Sequence, residues 1–286
     1  MIQLNSKSRQ FRLGALVLAG FGLAIGGLAL FNGIDLELHI LRRLHAPSFQ
    51  HVLGTDALGR DILSCLAFGT LVSVAIALAV VAMTAVIGAS LGFLAGWYGG
   101  MLGGCIMRGA DLILAFPGIL LALALIAFWG QGILHLFFAL VISGWVSYAR
   151  LVRGEVLKIK KQDFILAARG FNARSRHIAV RHMLPLIFPL LLTQAVTGIA
   201  AVILAEASLN FLGLGLDPRL PTLGGMIDAG RGHIFDRPAL VFIPGACLTL
   251  LVAGFLLLAE GFQTRPGAVA LEKKSKKDYI IATKAD

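Results

Sequence analysis

The chain is predicted to be an all-α polytopic membrane protein with six transmembrane helices and cytoplasmic N- and C-termini. Composition is the first reason. Of 286 residues 58% are hydrophobic and only 14% are charged, whereas an ordinary soluble domain carries about 25% charge, and the mean hydropathy is +0.86. The second reason is a succession of six apolar runs, each long enough to cross a bilayer. The third is where the charge falls. With the amino terminus inside, nineteen of the 25 Lys and Arg residues lie in inside segments and six in outside ones, a strong positive-inside pattern. Topology thus accounts for the net charge of +10, and nucleic acid is not an expected partner.

Residues 1–12 are polar and hold Lys7, Arg9 and Arg12 without an acid, as a cytoplasmic N-terminus would. Leu13–Phe31 is the first span. It exceeds the usual signal-peptide core, and no small-x-small site follows, so it is read as uncleaved. Residues 32–61 form a charge-balanced outside segment that ends in HVLGTDALGRD at 51–61. Gly54 and Gly59 permit tight turns there, while Thr55, Asp56, Arg60 and Asp61 offer pairing and capping groups. This outer-face motif reads as a turn leading into the next helix rather than as a catalytic pair of carboxylates.

Ile62–Gly96 is the second span, with small residues such as Gly69, Ser73, Gly88, Gly92 and Gly96 that let helices approach closely. Trp97, Tyr98 and Gly99, Gly100, Gly103 and Gly104 read as an interfacial turn. Arg108 and Asp111 are spaced to pair. Leu112–Phe128 is the third span, kinked at Pro117. After a turn at 129–132, Ile133–Ala149 is the fourth span.

A basic loop at 155–185 follows, EVLKIKKQDFILAARGFNARSRHIAVRHMLP. Phe164–Arg176 reads as a short amphipathic helix whose apolar stripe is Phe164, Ala167, Ala168 and Phe171, with Arg169, Arg174 and Arg176 off the stripe. Asn172 tolerates the left-handed backbone that would turn the chain. The loop fits a docking element for a partner, and equally a solvated loop that only sets topology. Leu184–Leu209 is the fifth span. Glu206 lies near its far end, where it is either a functional acid or a carboxylate reaching headgroup water. Residues 210–238 are again charge-balanced, and Ala239–Ala259 is the sixth span. The tail, 263–286, is rich in Lys and read as a disordered cytoplasmic segment.

The sequence contains no G-x-x-x-x-G-K-[ST] loop, no H-E-x-x-H and no G-x-S-x-G. Cys65, Cys105 and Cys247 lack metal-ligand spacing, and the first two fall on opposite sides of the membrane, which excludes a disulfide between them. No catalytic residues, no metal site and no cofactor are expected on the chain. These features describe a gated membrane scaffold whose energy comes from a partner; a non-pumping scaffold or channel fits the same facts.

The loop resembles the EAA loop of permease subunits of bacterial ABC importers. Leu166-Ala167-Ala168, then Asn172, then His182-Met183-Leu184-Pro185 stand at that family's spacing. HVLGTDALGRD at 51–61, RGADLILAFPGILLALAL at 108–125, YARLVRGEVL at 148–157 and AEASLNFLGLG at 205–215 are similar to the peptide/nickel subfamily, in particular its dipeptide and oligopeptide permease C subunits. The chain departs from the pattern at Leu166, where Glu is common, at Asn172 for Gly, and at Cys65 and Leu71 for Arg.

The resemblance implies a type I ABC importer permease fold with its core at 62–262, in the bacterial inner membrane. It implies three kinds of partner besides lipid: a second homologous permease subunit, two P-loop ATPase subunits that use ATP and Mg, and a periplasmic substrate-binding protein. It assigns ATPase coupling to Phe164, Ala167, Ala168, Arg169, Phe171, Asn172, Arg174, Leu184 and Pro185. Glu206, Phe211, Gly213 and Gly215 become candidates for the path or its gate. The implied cargo is a di- or oligopeptide, with nickel or a metal chelate as the alternative.

Overall fold

The computed structural model describes residues 2–32, 36–49, 51–171, 174–217 and 219–262, and among these there are helices, turns and no strand. The membrane-length helices are α1 (Ile2–Asn32), α2 (Ile62–Tyr98), α5 (Ile133–Ile159), α8 (Leu184–Phe211) and α10 (Ala239–Phe262). Shorter helices are α3 (Gly100–Leu114), α4 (Gly118–Trp129), α6 (Asp163–Gly170), α7 (Ser175–His177) and α9 (Leu223–Arg231). Five stretches are long and apolar enough to span, and a sixth forms if α3 and α4 count as one broken span. At 37 residues, α2 is about 55 Å long, well beyond a hydrocarbon core of about 30 Å.

The centre of the bundle is the α2–α5 pair, and glycine explains its closeness. Gly88, Gly92 and Gly96 recur one turn apart and meet Trp145, Ala149 and Val156 of α5; a Cβ on Gly92 would stand 2.3 Å from the Ala149 carbonyl oxygen. Helices α8 and α10 pack beside this pair. Helix α1 lies along α10, where Gly14 and Gly254 seat the two backbones against each other. One apolar core joins Ile62, Leu66 and Val81 of α2 to Ile199 and Ile203 of α8 and to Leu223 of α9.

Several sequence expectations are corrected here. The turn after α2 is Gly99 alone, at φ 65°, and Gly103 and Gly104 sit inside α3. The third span is not one kinked helix: α3 and α4 meet at 82°. Pro117 has no N–H and disfavours helical geometry at Phe116, so α3 stops short of it and a new helix starts beyond. Asp111 pairs not with Arg108 but with Arg150, at 2.6 Å, because α3 lies against α5. Helix α5 runs ten residues past Ala149, to Ile159. The helix in the basic loop ends at Gly170 instead of Arg176.

The fifth span begins before Leu184. From Ser175 the chain is helical without a break to Phe211, passing through a π-helical stretch at Ile178–Met183 in which the Leu184 N–H reaches back five residues to the Ala179 carbonyl. Pro185 explains the widening: its ring would crowd the carbonyl of Arg181, one α-turn earlier, and it has no N–H to give it. The tail 263–286 and Asn172 lie outside the described residues.

Candidate functional site

The end of the bundle that carries the basic loop holds the first candidate site. Beyond Ile159 the chain turns over Lys160–Gln162, and the Ile165 and Leu166 N–H groups close the first turn of α6 on the Gln162 carbonyl. Asp163 in that turn complements the helix dipole. Ile165 is fully buried among Val152, Val156, Ile159, Ile178, Met183 and Ile187, and Ala168 packs on the same cluster. Ile165 and Ala168, three apart, therefore form the seat of α6. The opposite side presents Phe164, Leu166 and Ala167 to solvent, and just beyond the helix Phe171 is 88% exposed.

The expected stripe is thus split. Phe164, Ala167 and Phe171 point outward while Ala168 points in, because the helix is anchored through Ile165, which the stripe omitted. Arg174 is exposed and extended at the start of α7. Leu184 and Pro185 are exposed at the start of α8. The backbone of Arg169 is helical. The rings of Phe164 and His182 lie 6.3 Å apart, and those of His182 and His177 5.6 Å apart.

At the opposite end, the 51–61 motif folds on itself. Asp61 caps α2, its Oδ2 accepting from Ser64 N at 2.8 Å and from Ser64 Oγ at 2.9 Å, while its Oδ1 meets His51 Nδ1 at 3.2 Å. Arg60 Nε donates to Asp56 at 2.8 Å and its Nη1 to the Arg219 carbonyl at 3.3 Å. The Thr55 hydroxyl donates to the Arg42 carbonyl and accepts from His45 N–H. Gly54 and Gly59 both adopt φ 80°, and a Cβ on Gly59 would run into the His39 backbone. Apart from His51 Nε2, which is buried without a partner, these side chains bond to one another and to neighbouring backbone. They staple the 36–49 segment to the start of α2.

Glu206 does not reach headgroup water. It is 0% exposed, because α2 closes over it. Ser73 Oγ of α2 donates to Oε2 at 2.8 Å, and Asn210 Nδ2, one turn along α8, donates to Oε1 at 2.5 Å. Asn210 Oδ1 in turn accepts Leu216 N–H at 2.7 Å, and Gly215 lies so close that a Cβ would overlap that oxygen. Gly213, at φ 71°, turns the chain back, and its carbonyl accepts from Gln131 Nε2 at 2.6 Å. One polar network therefore joins α2, α8, the 212–216 turn and the α4–α5 turn. Phe211 stands outside it, with the Arg231 guanidinium 6.0 Å from its ring. The sequence marks Ser73 only as a small residue that lets helices approach, and it does not mark Asn210 or Gln131 as site residues; the signal is present in Asn210, one turn after the one acid of α8.

Among the described residues no group of three His, Cys, Asp or Glu side chains is placed to hold a metal.

Comparison with known proteins follows the same lines. Residues 88–266 match the family described as "Binding-protein-dependent transport system inner membrane component". The dipeptide transport system permease protein DppC of Alkalihalophilus pseudofirmus is 33% identical over 271 residues, covering 94% of this chain and 88% of the relative. The glutathione transport system permease protein GsiD of Pectobacterium atrosepticum is 39% identical over 217 residues, covering 76% and 72%. Its namesake from Shigella dysenteriae is 40% identical over 219 residues, covering 77% and 72%. A chain in the inward-facing structure of the MetNI methionine ABC transporter superposes with a TM-score of 0.56 at 19% identity, over 69% of this chain and 93% of that one.

Proposed function

The chain belongs to the inner-membrane permease family of binding-protein-dependent ABC importers, and on that footing we propose that it forms half of a translocation path for di- or oligopeptides, driven by ATPase subunits that dock on α6. As a member of the family it is a multi-pass inner-membrane permease subunit and not itself an enzyme.

The observation that carries the proposal is the construction of α6. An eight-residue helix is far too short to be stable alone. Ile165 holds it in place, yet it keeps Phe164, Leu166 and Phe171 in solvent. Exposed aromatic side chains on a firmly seated helix suit a cleft on a partner. The basic end is then cytoplasmic, as the charge asymmetry requires, and both termini lie on that side. ATP and Mg belong to the docked subunits. A second permease related to this one completes the path, and a periplasmic binding protein delivers cargo to the 32–61 and 210–238 segments. The names of the relatives favour a peptide or glutathione over nickel as cargo.

The test is gentle affinity purification of the tagged chain from its native membrane, with mass spectrometry of what accompanies it. A second permease and P-loop ATPases are expected. A chain recovered alone or only with copies of itself would overturn the proposal in favour of a scaffold or channel.

A further inference from the structure

The chain turns into α6 through Lys160, and this side chain does more than end α5. Its Nζ lies 2.8 Å from the Trp97 carbonyl oxygen and 3.3 Å from that of Gly96. Both carbonyls belong to the last turn of α2, where the helix leaves acceptors pointing along its axis and where a cation is favoured. The same ammonium sits 5.8 Å from the centroid of the Trp97 ring, within cation–π range. That ring stacks at 11° on Phe93, and both rings pack against the cluster that buries Ile165. Lys160 is only three residues ahead of Asp163, the first residue of α6. A partly buried ammonium thus bridges the end of one spanning helix and the start of the docking helix.

We propose that Lys160 is a positioning residue for coupling: it fastens the C-terminal end of α2 to the start of α6, so that displacement of α6 is delivered to α2 directly. The proposal rests on the importer assignment above and adds a residue to it. Without the clasp, α6 would stay linked to α5 by the chain and to α8 through Ile165, but α2 would follow only through apolar packing, the glycine seam with α5 and the contact of Phe93 and Trp97 with the cluster around Ile165, with no polar tie to the start of α6. With it, the docking helix and the three helices around its seat move as one body. A mere helix cap would hold α2 together without affecting how α6 and α2 move relative to each other.

The experiment uses the full complex with its ATPase subunits, trapped with ADP and vanadate and compared with the nucleotide-free state. Spin labels at Tyr98 and Gly170, both exposed and the second with nothing within 4 Å of its Cβ position, report the distance between the end of α2 and α6. In the otherwise unchanged protein the expected distance distribution is narrow and the same in both states. Lys160→Met keeps the apolar stem and removes the charge. The clasped-to-released ratio should fall about 10- to 100-fold, the range set by a charge-assisted hydrogen bond. The distribution then broadens in the trapped state, while basal ATP hydrolysis stays within about twofold. Lys160→Arg should restore the narrow distribution.

If Lys160→Met gives the same narrow distribution as Lys160, the proposal is wrong although the importer assignment stands. If the unaltered chain recovers no ATPase, both fall together. Should Lys160→Met not assemble, Lys160→Gln, one atom shorter and uncharged, is measured in its place. If neither assembles while Lys160→Arg does, Lys160 is a folding cap and the proposal is overturned.

Discussion

Gly92→Ala tests the α2–α5 seam most directly. The added methyl would stand 2.3 Å from the Ala149 carbonyl oxygen and 2.8 Å from Ala149 Cα. Both are backbone atoms, so no rotamer change relieves the contact, and the helices must move apart by about 1 Å to reach an ordinary separation. Overpacking of this kind costs about 1–3 kcal/mol. The gain of Ala over Gly inside a helix offsets about 0.5–1 kcal/mol of that. The net loss is therefore about 0–2.5 kcal/mol, a fall of up to about 4 °C in the unfolding midpoint for a chain of this size. Gly104→Ala is the control, because Gly104 is also helical yet has nothing within 4 Å of its Cβ position; there only the propensity gain remains, and the midpoint should hold or rise. The assay is thermal unfolding of the purified chain in one detergent. A Gly92→Ala midpoint at or above that of Gly104→Ala would refute the claim that glycine sets the distance between the two helices.

Removing the Glu206 carboxyl by Glu206→Leu strands the Ser73 hydroxyl, at about 1–3 kcal/mol, while Asn210 Nδ2 keeps the backbone carbonyl of residue 206 as an acceptor at 3.0 Å. Glu206→Gln keeps one acceptor oxygen and should lose about 1 kcal/mol; faster hydrogen exchange at the Leu216 N–H would report the loosened turn, and equal stability of both variants would argue against the network. Phe171→Asp, at an exposed position, should leave stability within about 0.5 kcal/mol while abolishing recovery of ATPase subunits. Ile165→Ala should lose about 2–5 kcal/mol of seating and also abolish recovery, but it alone should raise amide exchange in α6.

Much of this arrangement is legible in the sequence wherever the physics is local. The capping role of Asp61 follows from an acid placed just before an apolar run, and the helical nature of 163–170 follows from apolar spacing. What local patterns miss are choices made by neighbours. The spacing of Phe164, Ala167, Ala168 and Phe171 defines a stripe, but which side of α6 is buried is decided by Ile165 meeting side chains from α5, the π-helical stretch and α8. A charge at Ala168 would therefore unseat the helix before it disturbed any docked partner. Arg108 and Asp111 have the right spacing to pair, yet Arg150, 39 residues further on, is the nearer cation once α3 lies on α5. Glu206 reads as an edge residue by position along its helix, and only the approach of Ser73 from α2 encloses it. Pro117 marks a disruption in any reading, but a proline does not announce whether the helix bends or stops.

The π-helical stretch at Ile178–Met183 fixes a quantity that side-chain contacts do not. An α-helix advances about 100° per residue, and each π turn takes in one residue more than an α turn. The widened segment takes up one extra residue between α7 and α8 while each turn still closes a full circle. The direction in which α7 and the chain before it leave α8 is therefore that of an α-helix one residue shorter. Without Pro185 the same residues could close as an ordinary α-helix, and everything before them, α6 included, would be rotated by about 100° relative to the bundle. The angle at which the docking helix is presented is thus held by a proline that does not touch it.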